Sequence, residues 1–322
     1  MNVLITGGAG YVGSALVKEL TKHDDTLYTL DIKSPPREIA AKTQHITQDI
    51  TNLEAIKEKM KPLDIDVAVH LAAQITGDPS QIMRINVDGT ANLLEVLRFK
   101  QPKLVIIAST AAQLYRNAQY IPIDEKHPIT PVTIYGLSKH LSEEVARFYY
   151  RVYSMPIVIF RQTNVYGQSP VQKYTVINKF VKDALTEGCI TIFGDGRQVR
   201  NFIHITDLVQ YYIEAIHYPS PERLAGQVFN ISGPEECQIK PLAETIASYI
   251  RSKTNKEVRI VHGPPSIPPE QDIHIFNISS RKAQLFFNYK PKITLAEGIP
   301  CLLYTSDAAD EGLGVDLGGR RI

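Results

Sequence analysis

Apolar residues follow two patterns along the first half of the chain, and the two alternate. Asn2–Thr6 (NVLIT) is a short apolar run that ends in glycines. Tyr11–Lys22 follows, with Val12, Ala15, Leu16 and Leu20 on one helical face. Leu27–Leu30 reads as a second strand closed by Asp31, Asp66–Leu71 as a third, Lys103–Ser109 as a fourth and Pro156–Phe160 as a fifth. Ile85–Arg98 turns Val87, Ala91, Leu94 and Leu97 inward, and a further helix is expected from about Leu137 to Tyr153. The strand runs lack strict alternation, as strands buried on both faces do. Strands alternating with helices predict an α/β fold with a doubly wound parallel sheet. After Gly167 the pattern loosens, and Pro and Gly gather at Pro219–Pro221 and Gly263–Pro269. Residues 1–166 are therefore read as a sheet domain, and 167–300 as a smaller C-terminal lobe that partly returns to the sheet.

Composition adds mainly exclusions. Of 322 residues, 43% are hydrophobic and 21% charged, with a formal net charge of +1. That balance suggests neither a nucleic-acid nor a membrane partner. No apolar run reaches the roughly 18 residues a membrane helix needs. Met1 leads straight into a strand pattern, so no signal peptide is expected. Cys189, Cys237 and Cys301 are far apart and lack metal-ligand spacing, which fits a reducing cytoplasm and no metal site. Residues 301–322 look foreign. Reverse translation of Cys301–Ser306 permits codons matching the end of a transposase-type sequencing adapter, so this tail is read as adapter read-through and kept out of the fold.

Candidate chemistry begins at Gly7-Gly8-Ala9-Gly10-Tyr11-Val12-Gly13, set between the first strand and the first helix. Gly7 allows a tight turn, Gly10 lets backbone approach a pyrophosphate, and Gly13 brings helix and sheet together. The helix N-terminus offers free N–H groups to the phosphates. Asp31 lies at the end of the second strand, where a carboxylate accepts from a ribose diol and repels the 2′-phosphate of NADP. This is a Rossmann arrangement, and it predicts NAD. Lys33 and Arg37, just beyond, carry the opposing charge.

Tyr135-Gly136-Leu137-Ser138-Lys139 opens the later helix. Residues i and i+4 share a face, so phenol and ammonium can enter one pocket. The nearby cation and the positive nicotinamide would draw the tyrosine toward phenolate, making Tyr135 a candidate general base toward a substrate hydroxyl.

Further motifs accompany these. They include Asp49-Ile50, His70-Leu71-Ala72-Ala73, Asn86-Val87-x-Gly89-Thr90 and Arg161-x-x-Asn164-Val165-Tyr166-Gly167. Phe193-Gly194-Asp195-Gly196, Arg200-Asn201-Phe202-Ile203-His204 and Asp207 follow. With the glycine loop and the Tyr/Lys pair, the chain resembles the extended short-chain dehydrogenases/reductases. Within them it is similar to the NAD-dependent nucleotide-sugar epimerases and dehydratases, of UDP-glucose 4-epimerase type, from Asn2 to about Ile299. The resemblance implies that Tyr11 and Val12 belong to the cofactor loop and that Asp49 and Ile50 flank the adenine. It implies that Leu71, Ala72 and Ala73 line the ribose and phosphate path, and that Asn86 supports the active-site backbone. Asn164 and Arg200 would hold the substrate, Arg200 through its diphosphate. A homodimer is implied too, pairing Ile85–Arg98 and Leu137–Tyr153 with their copies. In the second helix, Leu141, Val145, Phe148, Tyr149 and Val152 are spaced for an apolar face.

The family also places a Ser or Thr at the end of the fourth strand. Counting along the strand makes it Thr110, whereas counting back from Tyr115 makes it Ala111. The 4,6-dehydratases carry an Asp-Glu pair directly after that residue. Here Ala111-Ala112, or Ala112-Gln113, stands in its place. Without those carboxylates, epimerisation of a nucleotide-diphosphate sugar, at C4, is the expected reaction. A sugar dehydrogenase or reductase, a UDP-glucuronate decarboxylase and an NAD-binding regulator without turnover remain alternatives. The stretch Ile267–Asp272 lacks the second diphosphate-clamping arginine that many such epimerases carry.

Overall fold

Twelve strands are present among the described residues of the computed structural model, which are 1–115, 118–173, 175–265 and 275–302. They are β1 (Asn2–Thr6), β2 (Thr26–Asp31), β3 (Gln44–Thr47), β4 (Val67–His70), β5 (Leu104–Thr110) and β6 (Ile157–Gln162). Then come β7 (Asn164–Tyr166), β8 (Cys189–Phe193), β9 (Val199–His204), β10 (Val228–Ile231), β11 (Glu236–Gln238) and β12 (Arg259–Gly263). Seven of them form a sheet in the order β10-β6-β5-β4-β1-β2-β3, and every pair in it is parallel.

The apolar strand runs have a direct cause. Val3 and Ile5 of β1 enter one core, and Leu4 between them enters the other. Val67 and Val69 against Ala68 do the same in β4, and Leu104 and Ile106 against Val105 and Ile107 in β5. On one face lie the helices Tyr11–Leu20 and Ile205–Ile216; on the other lie Leu53–Met60, Gly89–Lys100 and Ile134–Tyr153. Leu16 is fully buried, so Leu16→Ala would cost about 2–5 kcal/mol. A third core, with Phe180, Ile190, Ile192, Leu242 and Ile246, fills the second lobe, where β12 pairs with β8 in parallel. That lobe is not separate from the sheet. β10 pairs with β6, and Ala283 and Phe287 join the first core.

Two boundaries differ from the sequence pattern. The helix expected from about Leu137 starts at Ile134, because Thr133 caps it by accepting from the Gly136 amide at 3.0 Å. The helix read as Ile85–Arg98 is three pieces: Pro79–Met83, a π-helical turn Arg84–Asp88, and Gly89–Lys100. Strand order reverses between β1 and β4. The crevice beyond their carboxyl ends is where doubly wound sheets bind ligands.

Candidate active site

Gly7 has φ +71°, a conformation that favours glycine, and its amide donates to Leu30 O at 2.8 Å. A Cβ on Gly13 would lie 2.0 Å from Gly7 O, so only glycine lets this helix meet the loop. The resulting cleft, about 360 Å³, is lined by Gly7, Gly10, Asp31, Asp49, Ile50 and Leu71–Ala73. Asp31 also steadies the loop: its Oδ2 accepts from Ala9 N at 3.0 Å and its Oδ1 from Lys33 N at 3.1 Å.

A second cleft, about 440 Å³, is lined by Tyr11, Val12, Thr110, Tyr135 and Asn164. Tyr11 and Val12, read from sequence as part of the cofactor loop, thus line the same cleft as Tyr135. Tyr11 Oη donates to Gly167 O at 2.7 Å, which ties the first helix to the second lobe. Thr110 ends β5 in the cleft, while Ala111 is fully buried beside Leu114, Tyr115 and Ile123. Ala112 and Gln113 line the cleft, and its described lining holds no carboxylate. Gln113 Oε1 accepts from Thr133 Oγ1 at 3.0 Å, which fixes it beside the start of the helix that carries Tyr135. Lys173, a cation on the same wall, did not stand out in the sequence pattern.

Lys139 is 3% exposed, and its ammonium has no hydrogen-bond partner among the described residues. Burial pushes it down to about 8, and Glu143 opposes that fall. Burial pushes the Tyr135 phenol up to about 12, so the lowered tyrosine expected from sequence requires a positive charge beyond the described side chains. His70 is buried between Thr6 Oγ1 at 2.7 Å and Thr90 Oγ1 at 2.9 Å, and burial, then the field of Lys139, push it down to about 3. Asn86 sits in the π-helical turn. Its Oδ1 accepts from Gln74 N at 2.8 Å and its Nδ2 donates to Gln74 O at 2.9 Å and Ser138 Oγ at 2.8 Å. It therefore braces the helix between Tyr135 and Lys139 against the loop after β4.

The two predicted substrate residues part company. Asn164 lines the cleft and its Nδ2 donates to Asn201 O at 3.1 Å. Arg200 lies on the neighbouring β9, outside that lining, and donates to Val199 O at 3.0 Å. The Ile267–Asp272 stretch and nearly all of the 301–322 tail lie outside the described residues. A wider groove, about 620 Å³, runs along Lys18, Lys22, Gln210 and Cys301. It contains neither the glycine loop nor Tyr135.

These residues fit a dinucleotide: a cradle that a Cβ would fill, an acid at the end of β2, and a buried ammonium with no hydrogen-bond partner among the described residues. The family model described as "NAD dependent epimerase/dehydratase family" matches residues 3–232. The chain belongs to that family, and its cofactor is NAD. A putative UDP-glucose 4-epimerase of Methanocaldococcus jannaschii is 31% identical over 306 residues, which is 92% of this chain and 95% of that protein. The crystal structure of UDP-glucose 4-epimerase from Thermotoga maritima with UDP-glucose matches with TM-score 0.85 at 26% identity, covering 96% of this chain and 100% of that one. UDP-glucuronic acid 4-epimerase from Bacillus cereus, solved with UDP-glucuronic acid and NAD, matches with TM-score 0.81 at 26% identity over the same shares. Family members named as a UDP-glucuronic acid decarboxylase and a dTDP-D-glucose 4,6-dehydratase match at 26% and 28% identity. No described helix is long and apolar enough to cross a membrane.

Proposed function

We propose that this protein epimerises a nucleotide-diphosphate sugar at C4. The observation that carries the reading is the wall beside Thr110 and Tyr135, which holds Ala112 and Gln113 and no described carboxylate. Dehydration needs an acid and a base there to remove water; epimerisation needs one proton carrier. Bound NAD supplies the hydride acceptor and donor. Tyr135 Oη takes the proton of the sugar hydroxyl and returns it, and Thr110 holds that hydroxyl. Lys139 would reach the nicotinamide ribose, and the positive nicotinamide beside it would supply the further charge that favours the phenolate.

In this reading Gly7, Gly10 and Gly13 hold the pyrophosphate, Asp31 holds the adenosine ribose, and Asp49 and Ile50 flank the adenine. Leu71, Ala72 and Ala73 line the path, with Asn86 behind them. Asn164 holds the sugar nucleotide, and Arg200 meets its diphosphate from β9. The protein works as a homodimer. Val145 and Tyr149 pack on the monomer core, but Phe148 and Val152 are 46% and 55% exposed on the same helix. These exposed groups, with Phe99 at 68%, supply the pairing face.

Incubation with a panel of UDP- and dTDP-sugars and NAD tests the reaction. Interconversion of C4 isomers without net NADH is the expected result. Stoichiometric NADH would mean a dehydrogenase, and release of CO₂ a decarboxylase. Light scattering should give a dimer, and a stable, active monomer would sink that part.

A further inference from the structure

One ion pair in the molecule is buried without any obvious service to folding. Glu143 is fully buried on the catalytic helix, one turn beyond Lys139, and so on its face. Its Oε1 accepts from Ser109 Oγ at 2.6 Å and Arg161 Nε at 2.9 Å. Its Oε2 accepts from Arg161 Nη2 at 2.6 Å and Arg147 Nη2 at 2.9 Å. Arg161 is 1% exposed, and its Nη1 donates to Tyr115 Oη at 2.6 Å. Desolvating such a pair costs about as much as the pair returns, so apolar side chains of similar volume would hold this core at least as well.

Its placement gives a different reason. Ser109 directly precedes Thr110, so one carboxylate ties the end of β5 to the helix that carries Tyr135 and Lys139. The charges around Lys139 are few. His70, facing it from β4, is kept uncharged by burial. Tyr135 stands one turn before it, and Arg161 of β6 and Arg147 lie beyond Glu143. Glu143 is the anion whose field acts on the ammonium.

We propose that Glu143 is a positioning residue: it sets Thr110, Tyr135 and Lys139 in one frame and holds the positive charge on Lys139. This rests on the catalytic roles assigned above. Its test uses cofactor binding as well as turnover, so the two can fail separately. Glu143→Gln alone strands a buried guanidinium, so the main variant is Glu143→Gln with Arg161→Met, checked by thermal unfolding. The NAD dissociation constant is measured from pH 6 to 10. In the unaltered protein, affinity should fall as pH rises past about 8, where Lys139 loses its proton. In the double variant the fall should come about one pH unit lower, with kcat/KM at pH 8 reduced about tenfold. Ser109→Ala removes the tether and keeps the charge, so kcat should drop severalfold with the NAD profile unmoved. A folded double variant with unaltered NAD affinity and pH profile would overturn the proposal. If no sugar is turned over but NAD binding shifts as described, the reaction assigned above falls and the role of Glu143 stands.

Discussion

The cleft proposed for the nucleotide and the cleft proposed for catalysis are built by different rules. The nucleotide cleft turns on the backbone of one glycine loop, walled by residues that follow β2, β3 and β4. Gly7 turns the chain, Gly13 lets the helix close on the loop, and Asp31 reaches back 22 residues to hold Ala9. The catalytic cleft is side-chain chemistry gathered from β5, the helix Ile134–Tyr153, β7 and the start of the next helix. The first tolerates almost no added atom, whereas the second depends on which atoms are present. Changes in the two should therefore fail differently.

The largest effect belongs to the catalytic cleft. Tyr135→Phe keeps the ring and loses the proton carrier, so turnover should fall by at least about a hundredfold while NAD binding stays within about twofold. Steady-state rates and NAD titration check this. A variant with more than a tenth of the original rate would remove Tyr135 from the chemistry. Gly13→Ala should do the opposite. Its Cβ meets a backbone oxygen that cannot swing aside, so NAD affinity should fall by about tenfold or more at a cost of about 1–3 kcal/mol. Retained NAD affinity in a folded Gly13→Ala protein would break the contrast.

Thr110→Ala should lower kcat about tenfold, less than Tyr135→Phe, because a hydrogen bond is lost and not the proton path. Ala111→Ser is its control. Position 111 is fully buried beside Leu114 and Ile123, so a hydroxyl there costs about 1–3 kcal/mol of stability and leaves the rate of the folded protein unchanged. Faster turnover from Ala111→Ser would mean that the hydroxyl belongs one residue later. The smallest expected change concerns the cofactor. Asp31→Asn removes the charge that repels a 2′-phosphate, so the ratio of NADP to NAD dissociation constants should fall about fivefold, roughly 1 kcal/mol. An unchanged ratio would remove Asp31 as the source of the preference for NAD.

The same division explains what could be read from sequence. The glycine loop, Asp31 and the Tyr135–Lys139 spacing are local, and each was legible because a few adjacent residues meet the whole physical demand. The strands of the sheet were legible because both their faces are buried. The choice between Thr110 and Ala111 was not. The short helix Ala111–Leu114, which turns Ala111 into a core and leaves Thr110 at the cleft, could not be read from the sequence. Asn86 could be named, but not its π-helical turn, since no residue type signals one. His70 between Thr6 and Thr90, Glu143 on Arg161, and β10 on β6 are pairings of distant segments. A charged residue such as Glu143 on an amphipathic helix reads as solvated until the strand behind it is known.

The proposed epimerisation turns on a hydride that leaves the sugar and comes back. A substrate found in the sugar panel, carrying deuterium at C4, should give the epimer with the deuterium still at C4 and no labelled NADH in solution, as followed by NMR. Deuterium accumulating in free NADH, or lost to water, would contradict it.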